Sequence, residues 1–540
     1  SVNSLTLAGT TVATDAGVAN AQQGNAQTTA SVAGNVLIDT ADDITGSSLS
    51  VNGNLARGSA IGNSSTNSLS VAATTLDGSG STDQATGVAS SSTADFSLAN
   101  VQLLEGNSSS SSTVDSIFGI DQAFDNLLTE SRLSVSSNTM FAEALGSTAT
   151  NRLSLSAVGA GGGTDPTASL TNNQNSISDI EAASTMTVFG NAATLDSSLA
   201  LNSNSNTALA VMNNANNSVS VAATTLNSAT SSRDTGNTTS MTSTADYVLN
   251  STQVAASFGS VDSTAESYLY NLDKAQADTA GTNGSSVSIA NNSTTAEASA
   301  NRVSNQLTVA ATDIGATAAL ANAQTNTTST NAVASTVADY VMKTVGLASV
   351  SAADGSRIAM NGNTTTALAR GNSASNVLNY AVAATYSAST DPGVVTASAA
   401  VDATASVLNN QNNGAAVSAT TQNAAFSAEL QSDDGATPAV LGTAVLNSSV
   451  TMANNAVQSV AYGNIASNTL NMVTFGAGVP SSALSSNQSN TGAVSAITTG
   501  TSFGVTQTGA ASGSSLRMTG NSAVAQAMGN NSINTIGGGQ

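Results

Sequence analysis

The chain has 540 residues and a net charge of −22, with 10 basic and 32 acidic side chains, and it contains no His, Cys or Trp. Its few basic residues are scattered, which argues against nucleic-acid binding because phosphate contacts need clustered Lys and Arg. The lack of His and Cys excludes a Ser-His-Asp triad, disulfides and metal sites built on those residues. With 8% charged residues and four prolines, the composition favours long regular structure over disorder.

The chain carries no recognisable targeting or membrane segment. No signal peptide precedes Ser1, so we expect a mature chain whose leader has been removed. No stretch approaches the ~18 apolar residues of a membrane helix. The excess of acidic charge is typical of a soluble, mutually repelling secreted protein. We therefore predict an extracellular protein at the cell surface.

An internal repeat runs through the whole chain. Its frames start at Leu49, Leu133, Leu199, Val287, Ile358, Val450 and Leu516. An Asn follows each start after five residues, at Asn54, Asn138, Asn204, Asn292, Asn363, Asn455 and Asn521. A second Asn follows after eighteen residues, at Asn67, Asn151, Asn217, Asn305, Asn376, Asn468 and Asn534. The intervals between frame starts alternate between long and short.

Each frame has the pattern of strands separated by corners. Segments such as Leu49–Val51 alternate apolar and polar residues with the period of a β-strand. Gly-Asn pairs between such segments predict tight corners, at Gly62-Asn63, Gly371-Asn372, Gly463-Asn464 and Gly529-Asn530. The predicted fold is an all-β β-solenoid (β-helix) of about two dozen coils of roughly 20–23 residues, grouped in units of about seven coils. Such a rod would be about 110–120 Å long.

We expect residues 1–540 to form a single continuous solenoid, with approximate sub-units 1–132, 133–286, 287–449 and 450–540. The recurring Asn residues predict a structural Asn ladder, in which each side-chain amide hydrogen-bonds to its copy in the next coil. A ladder of this kind satisfies amide groups that would otherwise be unfavourable to bury.

The segments between frames have their own signals. Asn-Gln clusters recur at Ala19–Asn25, Thr171–Asn175, Ala321–Asn326, Asn409–Asn413 and Ser486–Asn490. The stretch Asp115–Glu130 places Ile117, Ile120 and Phe124 on one face of a helix, so it predicts an amphipathic helix that covers the solenoid or binds a partner.

Catalytic chemistry has few candidates in this sequence. The acid pairs Asp42-Asp43 and Asp433-Asp434 could serve a glycosidase, but nearby glycines favour solvated turns. The run Gly161–Asp165 resembles a calcium-binding β-roll segment but does not iterate. We therefore predict no enzyme activity, no catalytic residue, no metal site and no cofactor.

The segment Asn409–Gln422, with Gln411, Asn413 and Ala415 in a curlin-like rhythm, resembles bacterial secreted β-solenoid repeat proteins of the curli and surface-adhesin type. The curlin Gln-x-Gly-x-x-Asn spacing is not kept, and the units are longer. The resemblance implies an extracellular, amyloid-like fibre subunit or a surface anchor.

The predicted function is a structural subunit of an extracellular bacterial filament, for matrix, surface attachment or biofilm scaffolding. The subunit would associate with itself head to tail, and surface glycans or matrix are further partners. The predicted polymer interface consists of residues near both chain ends, at Asn3, Leu5, Leu7, Asn534 and Ile536. The alternatives are the stalk of a larger adhesin and a polysaccharide-binding or polysaccharide-active β-helix protein; ice binding is a minor option.

Overall fold

The structure is a computed structural model that describes residues 1–77, 82–84, 90–122, 127–160, 166–227, 234–238, 241–256, 259–272, 281–327, 330–347, 351–387, 393–396, 400–433, 443–475, 478 and 480–539. Within these ranges the regular structure is entirely β, and strands from successive repeats pair in parallel. The predicted all-β solenoid is therefore confirmed.

Each repeat frame forms one whole coil. Thr139 lies between Leu55 and Ser205 in neighbouring parallel strands, so pairing connects equivalent frame positions. Along the first Asn row the separations between successive coils are 84, 66, 88, 71, 92 and 66 residues. A coil is thus three to four times longer than the predicted coil of roughly 20–23 residues, and that prediction is wrong.

The error has a physical cause. The predicted Gly-Asn corners lie inside single long strands, such as Leu55–Leu76, which contains Gly62 and Asn63. The glycines permit close approach instead: a Cβ on Gly463 would lie 2.5 Å from the carbonyl oxygen of Gly529. In the described residues eight strands lie one above the other between Val2–Val12 and Ser522–Gly539, so seven steps of about 4.8 Å give a stack of roughly 34 Å rather than about 110–120 Å.

Two broad sheets form the main walls of the coil. In the described residues, sheet A has eight strands, one above the other: Val2–Val12, Leu55–Leu76, Thr139–Ala160, Ser205–Leu226, Ser293–Ile314, Thr364–Tyr386, Ala456–Thr474 and Ser522–Gly539. Sheet B faces it and has thirteen described strands: Ala16–Gly24, Gln27–Thr40, Phe96–Gln122, Ala168–Asn191, Tyr247–Ala255, Ser260–Leu272, Ala318–Asn326, Asn331–Leu347, Ala405–Asn413, Val417–Asp433, Ser482–Asn490, Val494–Thr499 and Ser502–Thr508.

Two narrow sheets return the chain from sheet B to sheet A. Sheet C has seven described strands: Ile44–Thr45, Leu127–Thr129, Ala193–Leu195, Thr282–Asn283, Ala353–Asp354, Thr443–Leu446 and Ala510–Ser512. Sheet D also has seven in the described ranges: Ser48–Asn52, Arg132–Ser136, Ser198–Asn202, Ser286–Ala290, Arg357–Asn361, Ser449–Ala453 and Ser515–Thr519. The predicted sub-unit boundaries at 133, 287 and 450 fall within strands of sheet D.

The true corners flank sheet D, and each has a left-handed residue. Between sheets C and D these residues are Gly46, Glu130, Asp196, Gly284, Gly355, Asn447 and Gly513. Between sheets D and A they are Gly53, Ser137, Ser203, Asn291, Gly362, Asn454 and Gly520. All have φ between 47° and 70°, a region that glycine and asparagine tolerate best.

The alternation of long and short coils is explained by hairpins between sheets A and B. Every second coil contributes one, and the hairpin strands pair antiparallel in a side sheet: Thr82–Gln84, Ser90–Ala94, Asp234–Thr238, Thr242–Ala245, Gly393–Thr396 and Ala400–Ala403. The two strands of one hairpin lie side by side at about 4.8 Å, which is also the spacing between coils. One hairpin therefore covers the side of two coils. The larger unit is therefore two coils, not the predicted seven.

The interior contains two main apolar clusters separated along the long strands. One lies near the corners and includes Phe118, Leu133 and Met140. The other lies near the side of the hairpins and includes Leu69 and Leu98. Polar rows, described below, cross the interior between these clusters.

The predicted amphipathic helix at Asp115–Glu130 is wrong. Residues up to Gln122 belong to the strand Phe96–Gln122, and Leu127–Thr129 is a strand of sheet C; Phe124 lies outside the described residues. Phe118 and Ile120 point into the core because they alternate with outward residues along the strand. The part of the chain that the structure describes contains no apolar helix of membrane-spanning length.

Candidate functional site

The first Asn row lies at the start of sheet A and connects seven coils. Asn138 donates from Nδ2 to Oδ1 of Asn204 over 3.0 Å, and its backbone N–H donates to the same oxygen over 3.1 Å. The same Nδ2 donates back to the carbonyl of Val51 over 2.9 Å. This pattern continues through the predicted residues Asn54 to Asn521. The predicted ladder hydrogen bonds are present in this row.

The second Asn row crosses the middle of sheet A. Each Nδ2 donates to Oδ1 of the Asn in the next coil over 2.8–2.9 Å, through Asn3, Asn67, Asn151, Asn217, Asn305, Asn376, Asn468 and Asn534. The second amide hydrogen reaches sheet B, as where Asn67 donates to Asn100 over 3.1 Å. This row therefore joins successive coils and the two walls of each coil.

A row of glutamines in sheet B forms a third ladder that the sequence analysis missed. Successive Nε2–Oε1 distances are 2.6–2.8 Å through Gln22, Gln102, Gln174, Gln253, Gln324, Gln411 and Gln488. Each Nε2 also donates to a backbone carbonyl of sheet A, as Gln253 does to Arg302 over 2.8 Å. The recurring Asn-Gln clusters in the sequence contain the other members of this row. Gln102 and Gln253 extend the row to coils that have no such cluster.

These rows satisfy amides that are almost completely buried. Members of the second Asn row from Asn67 to Asn468 are at most 1% exposed. A buried amide without partners would cost roughly 1–3 kcal/mol. Each amide has an oxygen that accepts and two N–H hydrogens that donate, so a ladder along the axis plus one further bond from the second hydrogen uses both hydrogens and the oxygen. The ladders therefore fix the register between coils and hold the walls together.

A row of serine side-chain bonds follows the corner between sheets C and D. The backbone N–H of Ser131 donates to Oγ of Ser197 over 3.0 Å, and the hydroxyl of Ser131 donates to the carbonyl of Thr129 over 2.7 Å. Equivalent bonds recur from Ser47 to Ser514. Each serine therefore supports the left-handed corner residue that precedes it.

Titratable side chains are sparse, and a small group of them lies on the outer face of sheet B. The hydroxyl of Tyr268 donates to Glu266 and that of Tyr270 to Asp339, each over 3.1 Å. The two rings lie 6.4 Å apart. Partial burial, assisted by the neighbouring carboxylates, raises the pKa of both tyrosines. These groups stay neutral phenols at physiological pH.

The other candidates for chemistry are dispersed. Asp42 and Asp43 are exposed in the turn before sheet C, where Oδ1 of Asp43 accepts the backbone N–H of Leu127 over 2.8 Å. Asp434 and Gly161–Asp165 lie outside the described residues. Among those that are described, no group of three or more acidic, His or Cys side chains could hold a metal ion. Burial raises the pKa of Tyr340 to about 12, and its hydroxyl is 3.0 Å from Oγ1 of Thr294.

The predicted interface residues lie on the outermost strands of sheet A. Asn3, Leu5 and Leu7 align with Asn67, Leu69 and Val71 at one end of the stack. Asn534 and Ile536 align with Asn468 and Leu470 at the other. The structure therefore places the two groups on opposite ends of the solenoid, each on an edge strand.

Core rows continue to the end layers and are uncovered there. Leu516, Met518 and Ile536 are 40%, 46% and 57% exposed. Their counterparts one coil further in, Val450, Met452 and Leu470, are 1%, 0% and 0% exposed. At the opposite end Val36 is 40% exposed, whereas Phe118 in the same row is 1% exposed. Each end layer is thus an open section through the hydrophobic core.

Comparisons with known proteins give no relative from which a function could be transferred. No family model matches this chain, and neither a curated protein nor a solved structure matches it. The fold and the arrangement of the rows are therefore the basis for the function proposed below.

Proposed function

We propose that this chain is a structural, non-catalytic subunit of an extracellular filament, in which copies stack end to end through their open core layers. The observation that carries the proposal is the exposure of core rows at both end layers, where Met518 is 46% exposed and Met452 in the next coil is fully buried. An open β-layer with unpaired backbone groups and apolar surface favours pairing with another chain.

The two ends are chemically matched, because every coil repeats the same rows. The strand Ser522–Gly539 continues the Asn row of sheet A at one end, and Val2–Val12 begins it at the other. A second copy stacked on either end could extend the amide ladders, the parallel sheets and the apolar clusters together. The acidic net charge of −22 would keep the sides of such a fibre apart while its ends associate.

The location at a bacterial surface or in a biofilm matrix belongs to this proposal. It is supported by the acidic composition and by the curlin-like rhythm of Asn409–Gln422. The same fold would also serve as the stalk of a larger adhesin. That alternative requires no association between copies, so the test below separates the two.

A second candidate function is glycan binding by the outer face of sheet B. The outward rings of Tyr268 and Tyr270, with Glu266 and Asp339 beside them, combine aromatic surface with hydrogen-bond acceptors. Aromatic rings supply apolar surface together with a polar group, a combination common in binding sites. The filament proposal does not depend on this face.

We expect Met518→Lys to block filament growth while the monomer stays folded. Met518 belongs to an inward row at the end layer, so stacking would bury the new ammonium group without a partner, at an expected cost of several kcal/mol. Filament length and number would be measured by negative-stain electron microscopy and light scattering at high protein concentration.

Val524→Lys is the matched control, because Val524 is also 46% exposed but points away from the core, in the row of Gln458. It should leave growth nearly unchanged. If the unsubstituted chain stays monomeric at high concentration, the filament proposal is wrong. Equal inhibition by the two lysines would mean that growth does not use the end layer.

A further inference from the structure

A polar groove lies on the outer face of sheet A, on the side of the stack. Its volume is about 520 Å³, and ligand-binding sites have volumes of roughly 300–1,000 Å³. Two outward rows of side chains line it, each with one residue from each of four successive coils: Thr148, Asn214, Arg302 and Ser373 in one row, and Thr150, Asn216, Ser304 and Ser375 in the other. The groove therefore runs along the axis of the solenoid, over three steps of about 4.8 Å.

The glutamine row of sheet B holds one wall of the groove in place from the inside. Gln102 donates from Nε2 to the carbonyl of Thr148 over 2.9 Å, and Gln253 donates to the carbonyl of Arg302 over 2.8 Å. The two other coils of the groove have the same bond. The backbone of this wall is thus fixed before a ligand arrives, which lowers the entropic cost of binding.

The hydroxyl and amide groups that line the groove are available to a ligand. Apart from Arg302, none of the side chains in the two rows has a hydrogen-bond partner among the described residues. Hydroxyls and amides both donate and accept, so they match the hydroxyl groups of a sugar chain. As far as the structure describes it, the lining contains no aromatic ring on which a nucleic-acid base would stack. This lining favours a glycan over a nucleic acid.

The groove is positively charged although the chain as a whole is acidic. Arg302 is the one charged residue in the described lining. Its Nη1 lies 3.6 Å from Oε1 of Glu297, but Nη1 of Arg370 binds the same oxygen, so two guanidinium groups share one carboxylate. Arg152, exposed at the outward position after Thr150, adds a cation beside the groove. Salt screens charges beyond about 8 Å at physiological ionic strength, so this local excess of positive charge determines which ligand is attracted.

We propose that this groove binds an acidic glycan, in which uronic acid units occur in a hydroxyl-rich chain that lies along the solenoid axis. Arg302 would hold a carboxylate, because a guanidinium group donates two parallel hydrogen bonds to it. The two rows would bind the hydroxyl groups on either side. A polyphosphate or nucleic-acid backbone would instead need several clustered cations. The site does not depend on association between copies, so the inference goes beyond the filament proposal.

The test measures binding of a fluorescently labelled galacturonic acid hexamer to the full chain by fluorescence anisotropy. The same hexamer with methyl-esterified carboxyl groups is the neutral control ligand, and it should bind more weakly. Arg302→Gln should weaken binding of the acidic hexamer by roughly tenfold or more, because charge-assisted hydrogen bonds to a carboxylate are lost. It should leave binding of the esterified hexamer nearly unchanged.

Arg57→Gln is the matched control variant. Arg57 lies on the same face of sheet A, its side chain is 56% exposed compared with 47% for Arg302, and it is paired with Glu143 over 3.1 Å, but it does not line the groove. The substitution should change the affinity by less than about twofold. Ser304→Leu fills the groove without changing its charge, so it should also weaken binding. Circular dichroism would verify that each variant is folded.

Equal losses for Arg302→Gln and Arg57→Gln would mean that the hexamer is attracted by the face as a whole, and would overturn the proposal. Equal affinity for the acidic and esterified hexamers, or no binding of either, would also overturn it. Tighter binding of a short DNA duplex than of the acidic hexamer would overturn the assignment of a glycan. None of these results affects the filament proposal, which is tested separately through Met518.

Discussion

Asn217→Asp is expected to destabilise the solenoid by roughly 3–5 kcal/mol at neutral pH, the range for a buried group left with an uncompensated charge. Asn217 is fully buried, donates to Asn305 over 2.9 Å and to Ser251 over 3.2 Å, and accepts from Asn151 over 2.8 Å. The substitution keeps the shape of the side chain but removes both donor hydrogens. It also places a negative charge against the amide oxygen of Asn305.

The neighbouring residue provides the control. Asn216 is on the same strand but exposed, so Asn216→Asp should change stability by less than about 0.5 kcal/mol. The pH dependence provides a second check. Burial should raise the pKa of the new carboxyl above its unfolded value of about 3.9, so the missing stability returns below that pH and is lost as pH rises. Urea unfolding of both variants at pH 7 and pH 3 measures these free energies of unfolding. If Asn217→Asp lost no more stability than Asn216→Asp at pH 7, or lost the same amount at both pH values, Asn217 would not belong to a buried ladder.

Phe426→Ala is expected to destabilise the later coils by about 3–5 kcal/mol, the usual effect of removing a buried phenylalanine ring. Phe426 is fully buried in the larger apolar cluster. Its ring lies edge-on to Tyr340, at 5.1 Å between centroids, and stacks with Phe503 at 5.2 Å. The substitution therefore removes the middle ring of three successive coils.

Phe475→Ala is the control for the loss of an aromatic ring, because Phe475 is 57% exposed. It should change stability by less than about 0.5 kcal/mol. Since each coil of a solenoid contacts only its neighbours, Phe426→Ala should increase hydrogen exchange mainly in coils beside Phe426. Uniformly faster exchange along the chain would contradict the layered arrangement, as would equal effects of the two substitutions.

The sequence was sufficient to predict the β-strand character of the repeat frames and two of the ladders. Asn54 and Asn67 recur at constant positions relative to apolar residues, and alternation around Leu49 and Val51 has the period of a strand. Both signals depend on spacing within one frame. These signals do not depend on the length of a coil, so the predicted ladders are present although the predicted coil length is wrong.

Coil length could not be derived from the same spacing. Gly62-Asn63 is typical of a turn, but here Asn63 lies within a strand and donates to the carbonyl of Leu103 on sheet B over 3.0 Å. The true corners include Glu130 and Ser137, which are not typical left-handed residues. In the strand at Gly62-Asn63 and at the true corners, tertiary packing determines the backbone conformation, and local propensity predicts the wrong one.

The arrangement of one frame per coil sets the distance between Thr66 and Ser467. Both residues are exposed in one row of sheet A, connected through Thr150, Asn216, Ser304 and Ser375. The chain has no cysteine, so Thr66→Cys and Ser467→Cys can carry spin labels specifically.

Double electron–electron resonance on labelled chain diluted with unlabelled chain would give the distance. Five steps of about 4.8 Å predict a separation of roughly 24 Å, apart from the length of the label linkers. Coils of about 21 residues would separate the same two positions by roughly 90 Å, and a distance in that range would rule out one frame per coil.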